Sequence, residues 1–129
     1  PEILRTVRLE DPMLAKKLKT ALSQLAEEGV VQLFRPLDGS PPVVGVVGQL
    51  QLDVLASRLK VEYGVPAGFD ATRWEMMRWV VAEDRAALER FVAANRSDSA
   101  EDHDGEAVAF FSSDWRRKRA EAVSYTHLT

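Results

Sequence analysis

The sequence of 129 residues contains no cysteine, which excludes disulfides, thiolate metal sites and cysteine nucleophiles together. It has no apolar run near the roughly 20 residues that cross a bilayer, and its start lacks a basic segment followed by an apolar one. We therefore expect a cytoplasmic protein with no membrane partner. Since Pro1 stands where an initiator methionine would, we also expect a piece of a longer protein.

Motifs that indicate an active site are missing as well. The sequence holds no GxxxxGKS or GxxxxGKT loop, the spacing at which backbone N–H groups and a lysine converge on phosphate oxygens. His103 stands between Asp102 and Asp104, but three adjacent residues seldom converge on one metal ion, so a solvated loop is the favoured interpretation. No serine or histidine has a triad setting, and we predict no catalytic, cofactor-binding or metal-binding residue.

What the sequence does contain is typical of one packed domain. Hydrophobic residues make up 46% of it, charged residues make up 29%, and the net charge is -3. These values are far from the low hydropathy and high net charge of disordered chains. The length is below the roughly 150 residues of an average domain, so a single domain with its own core is expected.

The first 71 residues alternate between strand and helix patterns. Asp11 and Pro12 begin a helix in which leucines recur at helical spacing until Gly29, and Gly64 ends a second leucine-striped helix. The β-branched run at 3–10 has the pattern of an edge strand. The predicted elements are strands at 3–10, 30–35, 43–47 and 65–71 and helices at 12–28 and 49–63. Their order, βαββαβ, predicts a ferredoxin-like half with two helices on one face of an antiparallel sheet.

Residues 72–122 predict a smaller appended half of the form β-α-β-α. Asp84 has the position of an N-cap before a helix that carries Leu88, Phe91 and Val92. The predicted elements are a strand at 75–83, that helix, an acidic loop at 97–105, a strand at 106–112 and a basic helical stretch at 115–122. The chain as a whole is therefore predicted to be an α+β domain.

Basic residues are the candidates for binding. Lysine and arginine neutralise phosphates and release counterions. The basic run 116–119 follows Trp115, whose indole ring can stack on a nucleic-acid base. Against this, cations commonly occupy solvated helix faces, and a net charge of -3 is not typical of a nucleic-acid-binding domain. The candidate RNA contacts are Lys16, Lys17, Lys19, Arg58, Lys60, Arg116, Arg117, Lys118 and Arg119. Trp74 and Trp79 are interpreted instead as packing residues.

Three segments closely resemble a known family. They are LAEEGVVQLFRP at 25–36, VGVVGQLQLDV at 44–54 and RLKVEYGV at 58–65. They resemble the C-terminal, third domain of bacterial peptide chain release factor 3, and the resemblance runs over 1–122. The core of the second helix is also similar to the third domain of elongation factor G and of the tetracycline-resistance ribosomal protection proteins.

The resemblance implies a translational GTPase that promotes departure of class I release factors from the ribosome in translation termination. In that family an N-terminal domain binds GTP and magnesium and a β-barrel domain follows it, so this chain alone is expected to hold no cofactor and to be no enzyme. The family's third domain lies against the small ribosomal subunit, with ribosomal RNA and protein as partners, and relays contacts to the GTPase and β-barrel domains. The basic residues above then become candidate ribosome contacts, and no catalytic residue carries over.

Two other identities stay open on this reasoning: a stand-alone ribosome- or RNA-binding module, and a fragment of elongation factor G or of a ribosomal protection protein. The family continues after the basic helix with an aromatic-proline turn and a closing strand, which 123–129 do not match. Ala-Val-Ser-Tyr-Thr-His-Leu is what one reading frame of a transposon-end library adapter encodes, so we interpret 123–129 as a non-native tail. The closing strand would then be missing, and the edge of its neighbour would be open.

Overall fold

A computed structural model describes residues 3–112 and, as a short strand, residues 127–128. Its strands are β1 (Ile3–Leu9), β2 (Gln32–Pro36), β3 (Val43–Val46), β4 (Ala67–Ala71), β5 (Met76–Val81), β6 (Ser99–Asp102), β7 (Ala107–Phe111) and β8 (His127–Leu128). Its helices are α1 (Ala15–Glu27), α2 (Gln49–Tyr63) and α3 (Arg85–Ala94), with short 3-10 turns at Pro12–Leu14 and Arg96–Asp98. This mixture of helices and antiparallel strands confirms the predicted α+β class. No helix within these ranges is both long and apolar enough to cross a membrane.

One antiparallel sheet joins the described strands, in the order β4-β1-β3-β2-β6-β7-β5-β8. The first four positions hold β1 to β4, which alternate along the chain with α1 and α2 as the predicted βαββαβ half requires. The sheet then continues without interruption from β2 into β6, where Phe34 pairs with Asp102 and Pro36 with Ala100. The two predicted halves therefore share a single sheet.

Local sequence signals account for the ends of the first two helices. The Asp11 carboxylate accepts a hydrogen bond from the Met13 N–H at 3.0 Å, and Pro12 supplies a preset φ just before α1. α2 ends at Gly64, whose φ of 67° lies in the left-handed region that glycine adopts without strain. The Val65 N–H then donates to the Leu59 carbonyl at 2.8 Å, and Val65 turns into the core.

The two faces of the sheet bury different cores. Leucines of α1 and α2, among them Leu22, Leu25, Leu55 and Leu59, pack on one face of the first four strands. The strands contribute Val7 of β1, Leu33 of β2, Val44 and Val46 of β3 and the partly buried Phe69 of β4. The opposite face contributes Phe34 to a second core with residues of β5, β6 and β7. These cores are built by the burial of apolar area, the main favourable contribution to folding.

The second core contains a cluster of aromatic rings. Phe34 meets Phe110 edge to face, with ring centroids 5.7 Å apart, and Trp74 stacks on Phe110 at 4.5 Å. Trp79 packs against the same cluster, so the interpretation of Trp74 and Trp79 as packing residues is confirmed. α3 covers the outer side of β5 and β7, where Phe91 packs with Ala109 and Phe111.

Two predicted features of the sheet are wrong. β1 is not an edge strand, because it lies between β3 and β4 and pairs with both. Arg5 is a cation on this inner strand, and its long side chain is only half-buried and donates to the Leu4 carbonyl at 2.8 Å. The acidic loop predicted at 97–105 contains β6, whose small residues Ser99 and Ala100 are buried between β2 and β7.

The end of the appended half also differs from the prediction. Its described order is β-α-β-β, from β5 through α3 to β6 and β7, because β6 is an additional strand between α3 and the predicted strand at 106–112. The predicted basic helix at 115–122 lies outside the described residues. The edge of β5 is not open along its whole length, because β8 pairs with it at Val80 and Val81.

Candidate functional site

Three of the predicted RNA contacts lie together on α1. Lys16, Lys17 and Lys19 are all exposed, while Leu18 and Leu22 of the same helix are buried against the sheet. The helical period thus separates an apolar stripe from a cationic surface. Within the described part of the chain, none of the three lysines makes an ion pair. Their charges are available to an anionic partner.

A groove opens beside these lysines. It has a volume of about 640 Å³ and lies between α1, β1 and the loop that joins β2 to β3. Its walls are largely apolar, with Pro12, Pro41 and Pro42 among them, and Lys19 stands at its side. Arg8 and Arg35 line the same groove. The arrangement combines apolar walls with cations, which suits a partner that offers both apolar groups and negative charge.

The two arginines of the groove are held by contacts within the domain. Arg8 forms an ion pair with Asp70 of the neighbouring strand and lies against Gly68, where a Cβ would overlap its guanidinium. Arg35 donates from Nη2 to the Asp102 carbonyl at 3.0 Å. Sequence reasoning missed both residues. Strand alternation places Arg8 on the face opposite Val7. Only the tertiary structure shows that both arginines line the same groove as Lys19.

Arg58, another predicted contact, bridges the two helices. Its Nη2 lies 3.2 Å from Glu28 Oε2, and its Nε donates to Glu62 Oε2 at 2.5 Å. The hydrogen bond with Glu62 raises the pKa of the Arg58 guanidinium and lowers the pKa of the Glu62 carboxyl. Two carboxylates therefore neutralise most of the field that this cation would present to a phosphate. Lys60, two residues later, is exposed.

The predicted contacts do not form one surface. Arg58 is tied to Glu28 just beyond the C-terminal end of α1, whereas Lys17 is eleven residues earlier, about 16 Å along the helix. The lysines of α1 and the cations of α2 are thus two separate patches. The run Arg116, Arg117, Lys118 and Arg119 lies outside the described residues, and its role stays a prediction.

The Asp102-His103-Asp104 sequence forms a turn held by its first carboxylate. Asp102 accepts hydrogen bonds from Trp79 Nε1 and from the N–H groups of Asp104 and Glu106, each at 2.9 Å. Burial opposes the charged form, but these hydrogen bonds outweigh it and lower the pKa of Asp102 below its ordinary 3.8. Among the residues described, no group of three histidines or carboxylates is arranged to hold a metal ion. Asp102 fastens β6 to β5 and β7.

Known proteins are similar to this chain over most of its length. A family model described as the C-terminal domain of class II release factor RF3 matches residues 1–121. Peptide chain release factor 3 of Nitrosomonas eutropha is 50% identical over 95 residues, which are 74% of this chain and 18% of that protein. Peptide chain release factor 3 of Bordetella avium is 45% identical over 103 residues, which are 79% of this chain and 19% of that protein. The chain spans less than a fifth of the length of either relative.

Proposed function

The chain belongs to the family of class II release factor RF3 C-terminal domains, and from this premise we propose that it is the ribosome-contacting domain of a factor that acts in translation termination. The observation that carries the proposal is the family match over residues 1–121, joined by relatives at 45–50% identity that are named peptide chain release factor 3. We assign the complete factor the activity that the sequence resemblance implies, a GTPase cycle that promotes departure of class I release factors from the ribosome.

In this proposal the chain supplies contacts and the rest of the factor supplies the chemistry. GTP and magnesium are bound outside the 129 residues, whose sequence has no glycine-rich phosphate loop with its lysine. GTP hydrolysis drives the cycle of the complete factor. This domain binds the small ribosomal subunit through exposed cations. It also contacts the GTPase and β-barrel domains, so that ribosome binding can affect them.

The lysine patch of α1, Lys16, Lys17 and Lys19, is the surface we assign to the ribosome. The domain has a net charge of -3, so its overall field does not favour a polyanion, and a local cation cluster is needed. This patch meets that need because its charges are exposed and have no carboxylate partner in the described structure. Arg58 is a weaker candidate, because Glu28 and Glu62 already neutralise it.

A triple substitution in the complete factor tests this assignment. Lys16→Gln, Lys17→Gln and Lys19→Gln together should weaken ribosome binding, slow departure of the class I factor, and flatten the dependence of log affinity on log salt by about 0.7 to 0.9 for each lost phosphate contact. The control replaces three exposed cations on or beside α3 by glutamine: Arg85, which is paired with Glu89, Arg90 and Arg96. Equal effects of the two triples, or no effect of the first, would overturn the assignment to α1.

The two other identities lead to different genomic predictions. A stand-alone module needs no phosphate-loop motif in the same reading frame upstream of Pro1, whereas a release factor 3 requires one. A fragment of elongation factor G would continue into a further domain. Sequencing the flanking DNA separates all three, and the family match favours the release factor.

A further inference from the structure

Helix α2 is apolar on two opposite faces. Leu52, Leu55 and Leu59 are buried against the sheet, as their spacing predicts. Leu50 and Val61 are 74% and 79% exposed, and Val54 is exposed between them. At about 100° per residue these three side chains lie roughly 130° to 170° around the helix from the mean direction of the buried leucines. An ordinary surface helix carries polar residues at such positions.

The exposed apolar residues are concentrated at this one place. Six large hydrophobic side chains are exposed among the residues that the structure describes, and four of them lie along or just before α2. We call these four, Val47, Leu50, Val54 and Val61, the outer stripe. Single exposed hydrophobics are normal on a protein surface, but a row of them marks a contact with another apolar surface.

The charges beside the outer stripe favour a protein partner over RNA. Arg58, the cation nearest to its middle in sequence, is occupied by Glu28 and Glu62. Lys60, the other cation of α2, is exposed but lies about 100° around the helix from Val61. A phosphate backbone would need several free cations along the stripe, and aliphatic side chains offer no ring on which bases stack. An apolar protein surface would instead be favoured by burying the aliphatic side chains of the stripe. Covering Arg58 would not leave its charge unpaired, because Glu28 and Glu62 already neutralise it.

The sheet register shows where the preceding chain enters. Ile3 pairs with Val46, so β1 begins beside the end of β3. Val47 follows immediately, and its N–H donates to Gln51 Oε1 at 2.7 Å, which fixes the junction between β3 and α2. In the relatives the matched region is less than a fifth of the protein and is its C-terminal part. The rest of such a factor therefore arrives next to the start of the outer stripe.

We propose that in the complete factor the outer stripe is covered by an apolar surface of the polypeptide that precedes Ile3. The inference rests on the proposed function in one respect, that this chain is the C-terminal part of a release factor. A tethered partner suits the size of the surface. Four side chains offer on the order of a few hundred Å², less than the roughly 600 Å² that each partner buries at the lower end of stable interfaces between separate proteins. A linked surface binds at a high effective concentration and needs less area.

Single cysteines in the complete factor, placed in a background without other cysteines, test the proposal. This chain contains no cysteine of its own, so Leu50→Cys and Val61→Cys each add one thiol. Met13→Cys is the matched control, since Met13 is 88% exposed and lies outside the stripe. With ribosomes absent, a maleimide should label the two stripe positions at least about tenfold more slowly than position 13, because labelling then requires a local opening. All three should label at the same rate in denaturant.

Three results would overturn the proposal. Equal labelling at all three positions means that the stripe is bare in the complete factor. Protection that appears only when ribosomes are added assigns the stripe to the ribosome, and protection that grows with protein concentration assigns it to a second copy of the factor. Each of these results leaves the proposed function intact, because that function is tested separately by substitutions in the lysine patch of α1.

Discussion

At the scale of single residues, polar contacts of the appended half converge on two carboxylates. Asp98 accepts from Trp74 Nε1 at 2.7 Å and from Arg73 Nη2 at 3.1 Å, and the Arg73 guanidinium lies 4.6 Å from the Trp74 ring centroid. Asp102 accepts from Trp79 in the same manner. Each indole N–H is thus satisfied as its ring enters the second core, which a buried tryptophan requires.

The hydrogen bonds to Asp102 make folding stability depend on pH. Because the pKa of Asp102 is lower in the folded state, the unfolded chain binds more protons below about pH 5, and the stabilisation is lost as the pH falls through the unfolded and then the folded value. Asp102→Asn should therefore show a shallower loss of stability on acidification. Denaturant unfolding between about pH 6 and 2 measures the slope, with the exposed Asp53→Asn as control. An unchanged slope in Asp102→Asn would contradict the assignment.

The buried and exposed leucines give a second prediction at this scale. Leu22 is fully buried in the first core and Leu52 nearly so, while Leu50 on the same helix as Leu52 is exposed. In the 129-residue chain, Leu22→Ala and Leu52→Ala should each lower the free energy of unfolding by about 2 to 5 kcal/mol, through lost transfer energy and the cavity left behind. Leu50→Ala should change it by less than about 0.5 kcal/mol. Chemical denaturation decides the matter, and equal losses at Leu50 and Leu52 would mean that the buried face is misassigned.

At the scale of elements, the three helices are specified in different ways. α1 has a clear division between leucines and lysines, so its orientation on the sheet follows from its own pattern. α2 carries leucine or valine on opposite sides, and its orientation is set by the partners it meets. Phe91, near the C-terminal end of α3, is its one buried residue. Because burial contributes little at the other end of the helix, the Asp84 cap is the main local signal for where α3 starts.

The cap of α3 provides a test at this scale. The Asp84 carboxylate accepts from the Ala87 N–H at 2.7 Å and satisfies one of the free donors at the helix start. Asp84→Ala should destabilise the domain by about 0.5 to 2 kcal/mol, whereas Asp84→Ser should retain most of the stability, because serine also caps. Thermal unfolding of the three proteins checks both expectations. If serine is as damaging as alanine, the role of Asp84 is something other than capping.

At the scale of the whole molecule, the two halves are joined through their cores as well as through the sheet. Phe34 belongs to β2 of the first half, yet its ring packs on Phe110 of the second. The opposite side of the same strand, with Leu33, faces α1 and α2. Leu4 of β1 and Val43 of β3 pack in the same core as Phe34, together with residues of the second half. The domain should therefore unfold as one cooperative unit.

Two probes separate cooperative from independent unfolding. The three tryptophans all belong to residues 72–122, so fluorescence reports the second half, while most of the helical circular dichroism comes from α1 and α2 of the first. The two unfolding curves should coincide in the unchanged chain. Leu22→Ala lies in the first core alone and should shift both curves equally. A fluorescence midpoint that stays in place while the dichroism midpoint falls would show that the halves unfold separately.

Much of the fold was predictable because the signals are local. The leucine spacing of α1 and α2, the caps at Asp11 and Asp84 and the glycine stop at Gly64 each act within a few residues, and the structure agrees with all of them. The lysine patch of α1 follows from the same helical period. The family, too, was identified from segments that read continuously along the chain.

Tertiary structure alone decided the features that depend on distant partners. β6 has small and acidic residues with weak strand preference, and it is a strand because β2 and β7 supply its hydrogen bonds and bury Ser99 and Ala100. β1 is an inner strand because β4 returns to pair with it. Glu62 is a local partner of Arg58 on the same helix, four residues later, but only the tertiary structure brings Glu28, on a turn thirty residues earlier, to the same guanidinium. Sequence determines what a segment can form by itself, and contacts between segments determine which of those possibilities the molecule keeps.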